Sequence, residues 1–151
     1  MDAVRIIAAG RRGLTQARTV QDIVVEAWQA QAVAEAIGSH LAVSGPREVR
    51  SQARGLRDAG GRSGGALLWR ASYSGGLRAA GLTEVGDARA ALSELLALLG
   101  DLCEALVVVA CEADEEVVYW SCVEAMDVAD ESRDRVMGIL RQLGVKEAGM
   151  A

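Results

Sequence analysis

The sequence predicts an all-α protein, an antiparallel helical bundle of four to five helices with a Gly-rich connecting segment. Three observations carry that expectation. Apolar residues recur every three or four positions over long stretches, most clearly at Leu92, Leu95, Leu99, Leu102, Leu106 and Val109. The 151 residues include one Pro and no Phe, so little interrupts a helix, and the apolar mass is Ala, Leu and Val. Capping residues and glycines leave short connections between the periodic stretches, and no period of about 20 to 50 residues marks a solenoid. At 51% hydrophobic and 25% charged residues, the chain can bury one core and is too short for two comfortable domains. One domain is expected over 1–144, with a frayed tail at 145–151.

The first helix is expected over about 2–17, capped by Asp2 and carrying Val4, Ile7, Leu14 and Ala17. Thr19, with Asp22 three residues on, reads as the cap of a second helix bearing Val20, Val24, Ala27, Ile37 and Leu41. Gly38 weakens that helix without ending it. The residues between the two segments tolerate helix, so one long helix is the alternative. Ser44-Gly45-Pro46 is the clearest punctuation, because Pro suits the first turn of a helix and little after it. A third helix should start there, run through Val49, Ala53 and Leu56, and stop at Gly60-Gly61. Residues 60–81 are open to three readings: a short helix, a strand or a long loop. Asp87 caps the leucine-periodic helix. A turn is expected near Ala113-Asp114, with Asp114 as the next cap, although no Gly or Pro forbids one continuous helix there. The last helix carries Val118, Cys122, Ala125, Ala129, Val136 and Leu140 on one side and should stop at Gly144.

The net charge of -5 hides an asymmetry: residues 1–80 sum to +5 and residues 81–151 to -10. Such polarisation suits halves that attract each other or meet different partners. No apolar run approaches the roughly 18 residues of a membrane span. The N-terminal stretch, with an early Asp2 and Arg11-Arg12, is unlike a secretory signal. Three cysteines are too few for a disulfide scaffold, which favours a reducing, cytoplasmic setting.

Little in the chain points to catalysis. His40 is the single histidine, so neither paired Glu-x-x-His di-iron ligands nor a His-rich zinc site can be assembled within one chain. Near the end of its helix, His40 suits the negative end of the dipole. Cys103, Cys111 and Cys122 lack Cys-x-x-Cys spacing; a hairpin turning near Asp114 would set Cys103 and Cys122 at similar heights, yet buried thiols packing as small apolar groups are far more common. The acids Glu112, Asp114, Glu115 and Glu116 could hold a hard cation, but acids at a helix start need no metal to explain them. The run from Gly60 to Gly65 has no Gly-Lys-Ser/Thr ending, so it is a poor phosphate cradle. No cofactor, metal or catalytic residue is assigned.

Two charge stripes are better defined. Arg47, Arg50, Arg54 and Arg57 follow increments of three, four and three, gathering on one helical flank, and the same increments recur in Glu124, Asp127, Glu131 and Asp134. The acids point away from the apolar stripe of their own helix and so face solvent or another molecule. That makes an internal zipper between the stripes the weaker reading, against solvated faces or a protein interface. Nucleic-acid binding rests only on the Arg flank and is opposed by the acidic balance. Trp28 and Trp120 lie on or beside apolar stripes and suit core or interface anchoring. Trp69 and Tyr73, in the Gly-rich segment, could cover the core or close over a partner.

Three stretches, from Thr19 to Gln31, Leu82 to Asp87 and Ala125 to Asp134, resemble a family of small actinobacterial helical proteins of unknown function. The Arg-over-Lys, Ala- and Gly-rich composition suits a GC-rich genome. The resemblance implies no activity and transfers no functional residue. The expected function is that of a non-enzymatic cytoplasmic interaction or regulatory protein. It would self-associate through an apolar helix face, a dimer being favoured, and bind an unlike protein through its charged faces. The alternatives are a carboxylate-dependent metal or small-molecule binder or enzyme, and a weak nucleic-acid binder.

Overall fold

A computed structural model describes residues 1–62 and 76–150. Among them are five α-helices and two short 3-10 turns, and no strand. Helix α1 spans Ala3–Gln16, α2 Val20–Ser44, α3 Arg50–Gly60, α4 Ala88–Glu112 and α5 Glu116–Met150. The 3-10 turns cover Arg47–Val49 and Arg78–Gly81. No helix among the described residues is long and apolar enough to cross a membrane.

The capping chemistry explains most boundaries. Asp2 accepts from the Arg5 amide to start α1, and Asp87 accepts from the Ala90 amide to start α4. Thr19 and Asp22 form a complete capping box, each side chain satisfying a backbone amide at the other's position. This box, with the extended Ala17, makes α1 and α2 two helices rather than one. Pro46 precedes a 3-10 turn that leads into α3.

Two expected boundaries move. The residue whose carbonyl accepts the first bond of α5 is Glu115, from Tyr119, so the cap lies one position past Asp114. At the other end α5 does not stop at Gly144 but continues to Met150. Gly86 is the one described residue with positive φ, so Gly144 lacks the left-handed conformation that ends a helix. Beyond it, Lys146 and Glu147 hold the helix against its neighbours through Glu48 (3.6 Å) and Arg89 (2.7 Å).

The contacts fix the topology. Gly13 abuts Glu26, so α1 and α2 form an antiparallel pair. Gly38 abuts Ala53 and Arg57 while Gly60 abuts Gln31 and Glu35, so α2 and α3 are antiparallel. Ala3 bonds to Glu84 (3.1 Å) just ahead of α4, and Arg11, farther along α1, reaches Asp101 (3.1 Å) farther along α4; α1 and α4 run the same way. It follows that α3 and α4 point the same way too, which is why the connection between them is a crossover and not a hairpin. Helix α5 returns antiparallel to α4. Helix α2 touches each of the other four.

The core is built from the predicted small aliphatic residues. Ile7, Ala34, Ile37, Ala53, Leu56, Leu92, Leu95, Leu99, Leu106, Cys122, Ala129, Val136 and Ile139 are completely buried. In α1 the buried face is Ala3, Ile6, Ile7 and Gly10, while Val4 is exposed. Small side chains let α2 and α3 approach backbone to backbone. A Cβ on Gly38 would stand 2.5 Å from the Arg57 nitrogen, and one on Gly60 would stand 2.6 Å from the Glu35 nitrogen.

The crossover returns to the bundle at a buried glutamine. Gln29 is 1% exposed; its Nε2 donates to the Gly76 carbonyl and its Oε1 accepts from the Arg78 amide, both at 3.0 Å. The Arg78 guanidinium then grips both Glu26 oxygens at 2.6 and 2.8 Å. A second polar contact crosses the bundle where the Ser132 hydroxyl donates to Gln31 Oε1 at 3.0 Å.

Candidate functional site

The two charge stripes lie on helices that touch, yet they do not meet. The 3-10 turn and α3 face α5 with Glu48, Gln52 and Gly55, which oppose Lys146, Gly138 and Arg135. At about 100° per residue, Arg50 lies about 160° and Arg57 about 140° round the helix from Gln52. The arginine flank therefore points away from α5. Arg47, Arg50 and Arg54 are exposed and Arg57 is half-buried. Arg50 donates to the Gly45 carbonyl (2.9 Å) and Arg57 pairs with Asp58 (3.1 Å). On α5, Glu124, Asp127 and Asp134 are exposed, whereas Glu131 is half-buried between Arg62 (2.6 Å) and Arg135 (3.9 Å). Among the described residues, no arginine of the flank is bonded to an acid of the stripe. Trp69 and Tyr73 lie outside the described residues.

The acidic stripe extends farther than its acids. Stepping back from Glu124 by four and three residues reaches Trp120 and Val117, on the same face and each 59% exposed. Tyr119 is 43% exposed and meets Trp120 edge to face at 5.2 Å. On the neighbouring end of α4, Val107 and Val108 are 47% and 55% exposed. This end of the α4–α5 hairpin carries several large apolar side chains in water, two of them aromatic. Acids dominate it: residues 104–128 contain seven acids and no Arg or Lys. The sequence signal was present, because the increments that define the acidic stripe continue through Trp120 and Val117. What it could not show is that α3 ends before reaching them.

The thiols are placed apart. Cys103 Sγ lies 3.7 Å from Asp130 Oδ1, eight residues along α5 from Cys122, or about 12 Å at the helical rise. The proposed height match between Cys103 and Cys122 therefore fails, and all three cysteines are free. Burial pushes the Cys103 thiol up to about 11, and the Asp130 carboxylate adds to the rise while Arg133 opposes it. Burial also raises the thiol of Cys122. Only the thiolate is a good nucleophile. At pH 8, iodoacetamide should modify the exposed Cys111 first and leave Cys103 and Cys122 largely intact by peptide mass spectrometry. Equal labelling of Cys103 and Cys111 would contradict this placement.

Other groups are committed to structure. The acids Glu112, Asp114, Glu115 and Glu116 are all exposed, and among the described residues no three His, Cys, Asp or Glu side chains gather around a common point. His40 is half-buried one turn before the end of α2. A cavity of about 330 Å³ lies between the end of α1 and the start of α2, against Glu26 and Arg78. Those two charges are engaged with each other, and Gly13 is small because a Cβ there would stand 2.5 Å from the Glu26 carboxylate.

No curated protein and no solved structure matches the chain. The family model of DUF6099, described as a family of unknown function, matches residues 1–142. The chain belongs to that family.

Proposed function

We propose that this is a non-enzymatic cytoplasmic interaction or regulatory protein that binds a protein partner through its charged helix faces and self-associates through an apolar helix face. The observation that supports the reading best is the far end of the α4–α5 hairpin, where Val107, Val108, Val117, Tyr119 and Trp120 stand exposed among acids. The long apolar stripes of Leu92–Val109 and Val118–Leu140 are consumed in the core. Self-association therefore falls to apolar side chains outside it, for which Val107 and Val108 on α4 are suited. The exposed arginines of α3 and acids of α5 are left for an unlike protein.

Light scattering from micromolar to about 100-fold higher concentration tests the first part. A multimer is expected, shifting towards monomer in Val107→Arg/Val108→Arg; a strict monomer throughout rejects self-association. For the second part, the arginine flank is reversed to Glu in one variant and the acidic stripe to Lys in another. Each variant should keep its helical circular dichroism, and at least one should lose a protein captured by the wild type. Capture profiles unaltered by both reversals reject the charged faces as the binding surface.

A further inference from the structure

The track of α3 along α5 is marked by Glu48 on Lys146, Gln52 on Gly138, Gly55 on Arg135 and finally Arg62 on Glu131. Helix α3 has 11 residues and α5 has 35, so α3 stops while the face it packs on continues. From Glu131 back to Val117 is 14 residues, about 21 Å of helix. Over that length the face presents Asp127, Glu124, Trp120 and Val117, all exposed. A bundle helix normally buries one stripe against each neighbour. Here, among the described residues, no helix covers that face for about four turns beyond the end of α3.

We propose that this stretch of α5 docks a basic amphipathic helix of another protein, lying in line with α3. This assignment rests on the interaction reading above and specifies its partner. Charge complementarity selects the occupant. With seven acids and no base across residues 104–128, the surface favours an incoming cationic face over a neutral or anionic one. The order along the stripe, acids and then Trp120 and Val117, asks for Arg or Lys followed by Leu-like residues at helical spacing. A second copy offers this poorly. Its hairpin end is equally acidic, and the apolar residues beside its arginine flank, Val49, Ala53 and Leu56, are already buried in its core.

The test uses the full chain and a fluorescently labelled model peptide of about 18 residues, with leucines on one helical face and arginines on the other. A scrambled peptide of the same composition serves as control. Anisotropy should show saturable binding, weakened at least about tenfold by Trp120→Ala and by Glu124→Gln/Asp127→Asn together. The scrambled peptide should bind at least tenfold more weakly, and Arg47→Gln/Arg54→Gln should change nothing. Equal binding of the scrambled peptide, or binding indifferent to the α5 substitutions, overturns the proposal. A concentration-dependent dimer that Trp120→Ala dissociates also overturns it, by assigning the face to a second copy; the interaction reading then still stands. If the peptide fails to bind while reversal of the acidic stripe still abolishes partner capture, the basic-helix geometry is wrong and the broader reading survives.

Discussion

Replacing Gly38 with Ala lowers stability, while replacing Gly100 with Ala raises it. Both glycines sit inside helices, where Ala is favoured over Gly by about 1 kcal/mol. At Gly100 nothing lies within 4 Å of the added methyl, so the propensity gain is expressed. At Gly38 the methyl would stand 2.5 Å from one backbone nitrogen of α3 and 2.8 Å from a carbonyl oxygen, and backbone cannot step aside as a side chain can. Overpacking of this kind costs about 1–3 kcal/mol and can cost more, which outweighs the gain. The larger Gly38→Leu should separate α3 from α2, with a loss at or above the top of that range. Urea unfolding measures all three. A stabilised Gly38→Ala would show that the two helices are not in backbone contact.

Replacing Gln29 with Leu should cost about 1–3 kcal/mol, since each of two part-buried hydrogen bonds contributes about 0.5–1.5 net. The substitution preserves approximate volume and apolar burial, so its effect falls on the polar contacts of Gln29. The Gly76 carbonyl and the Arg78 amide would both lose their partner, and the Arg78–Glu26 clamp would lose the backbone that aims it. Thermal unfolding should fall by roughly 2–4 °C for each kcal/mol lost, and hydrogen exchange at the Arg78 amide should accelerate. An unchanged exchange rate there would mean that the crossover is held by something other than Gln29.

Local chemistry made the helices legible in the sequence. The capping box at Thr19 and Asp22, the cap at Asp87, the Pro46 start and the leucine periodicity each act within a few residues, and each reappears in the fold. Gly144 misled because a glycine ends a helix only when its backbone turns left-handed, and here tertiary partners at Lys146 and Glu147 carry the helix onward. Gln29 escaped notice because a buried glutamine is recognised by what it bonds, and Gly76 and Arg78 lie some fifty residues away. The site was half legible. Spacing locates the acids of α5 and orients them outward, but it leaves Trp120 between core and interface because its exposure depends on where α3 ends. The cysteine register failed for a related reason: Cys103 sits level with Asp130, a stagger that equal counting from the turn does not contain.

The central claim is that the outer face of α5 at the hairpin end is occupied by another protein in the cell. Photo-crosslinking tests it directly, with benzoylphenylalanine placed at Trp120 and, in a separate variant, at the exposed Arg12 of α1. A discrete higher-mass adduct is expected from position 120, absent from position 12 and lost when Glu124 and Asp127 are changed to Lys. No adduct from position 120, or the same adducts from both positions, would contradict it.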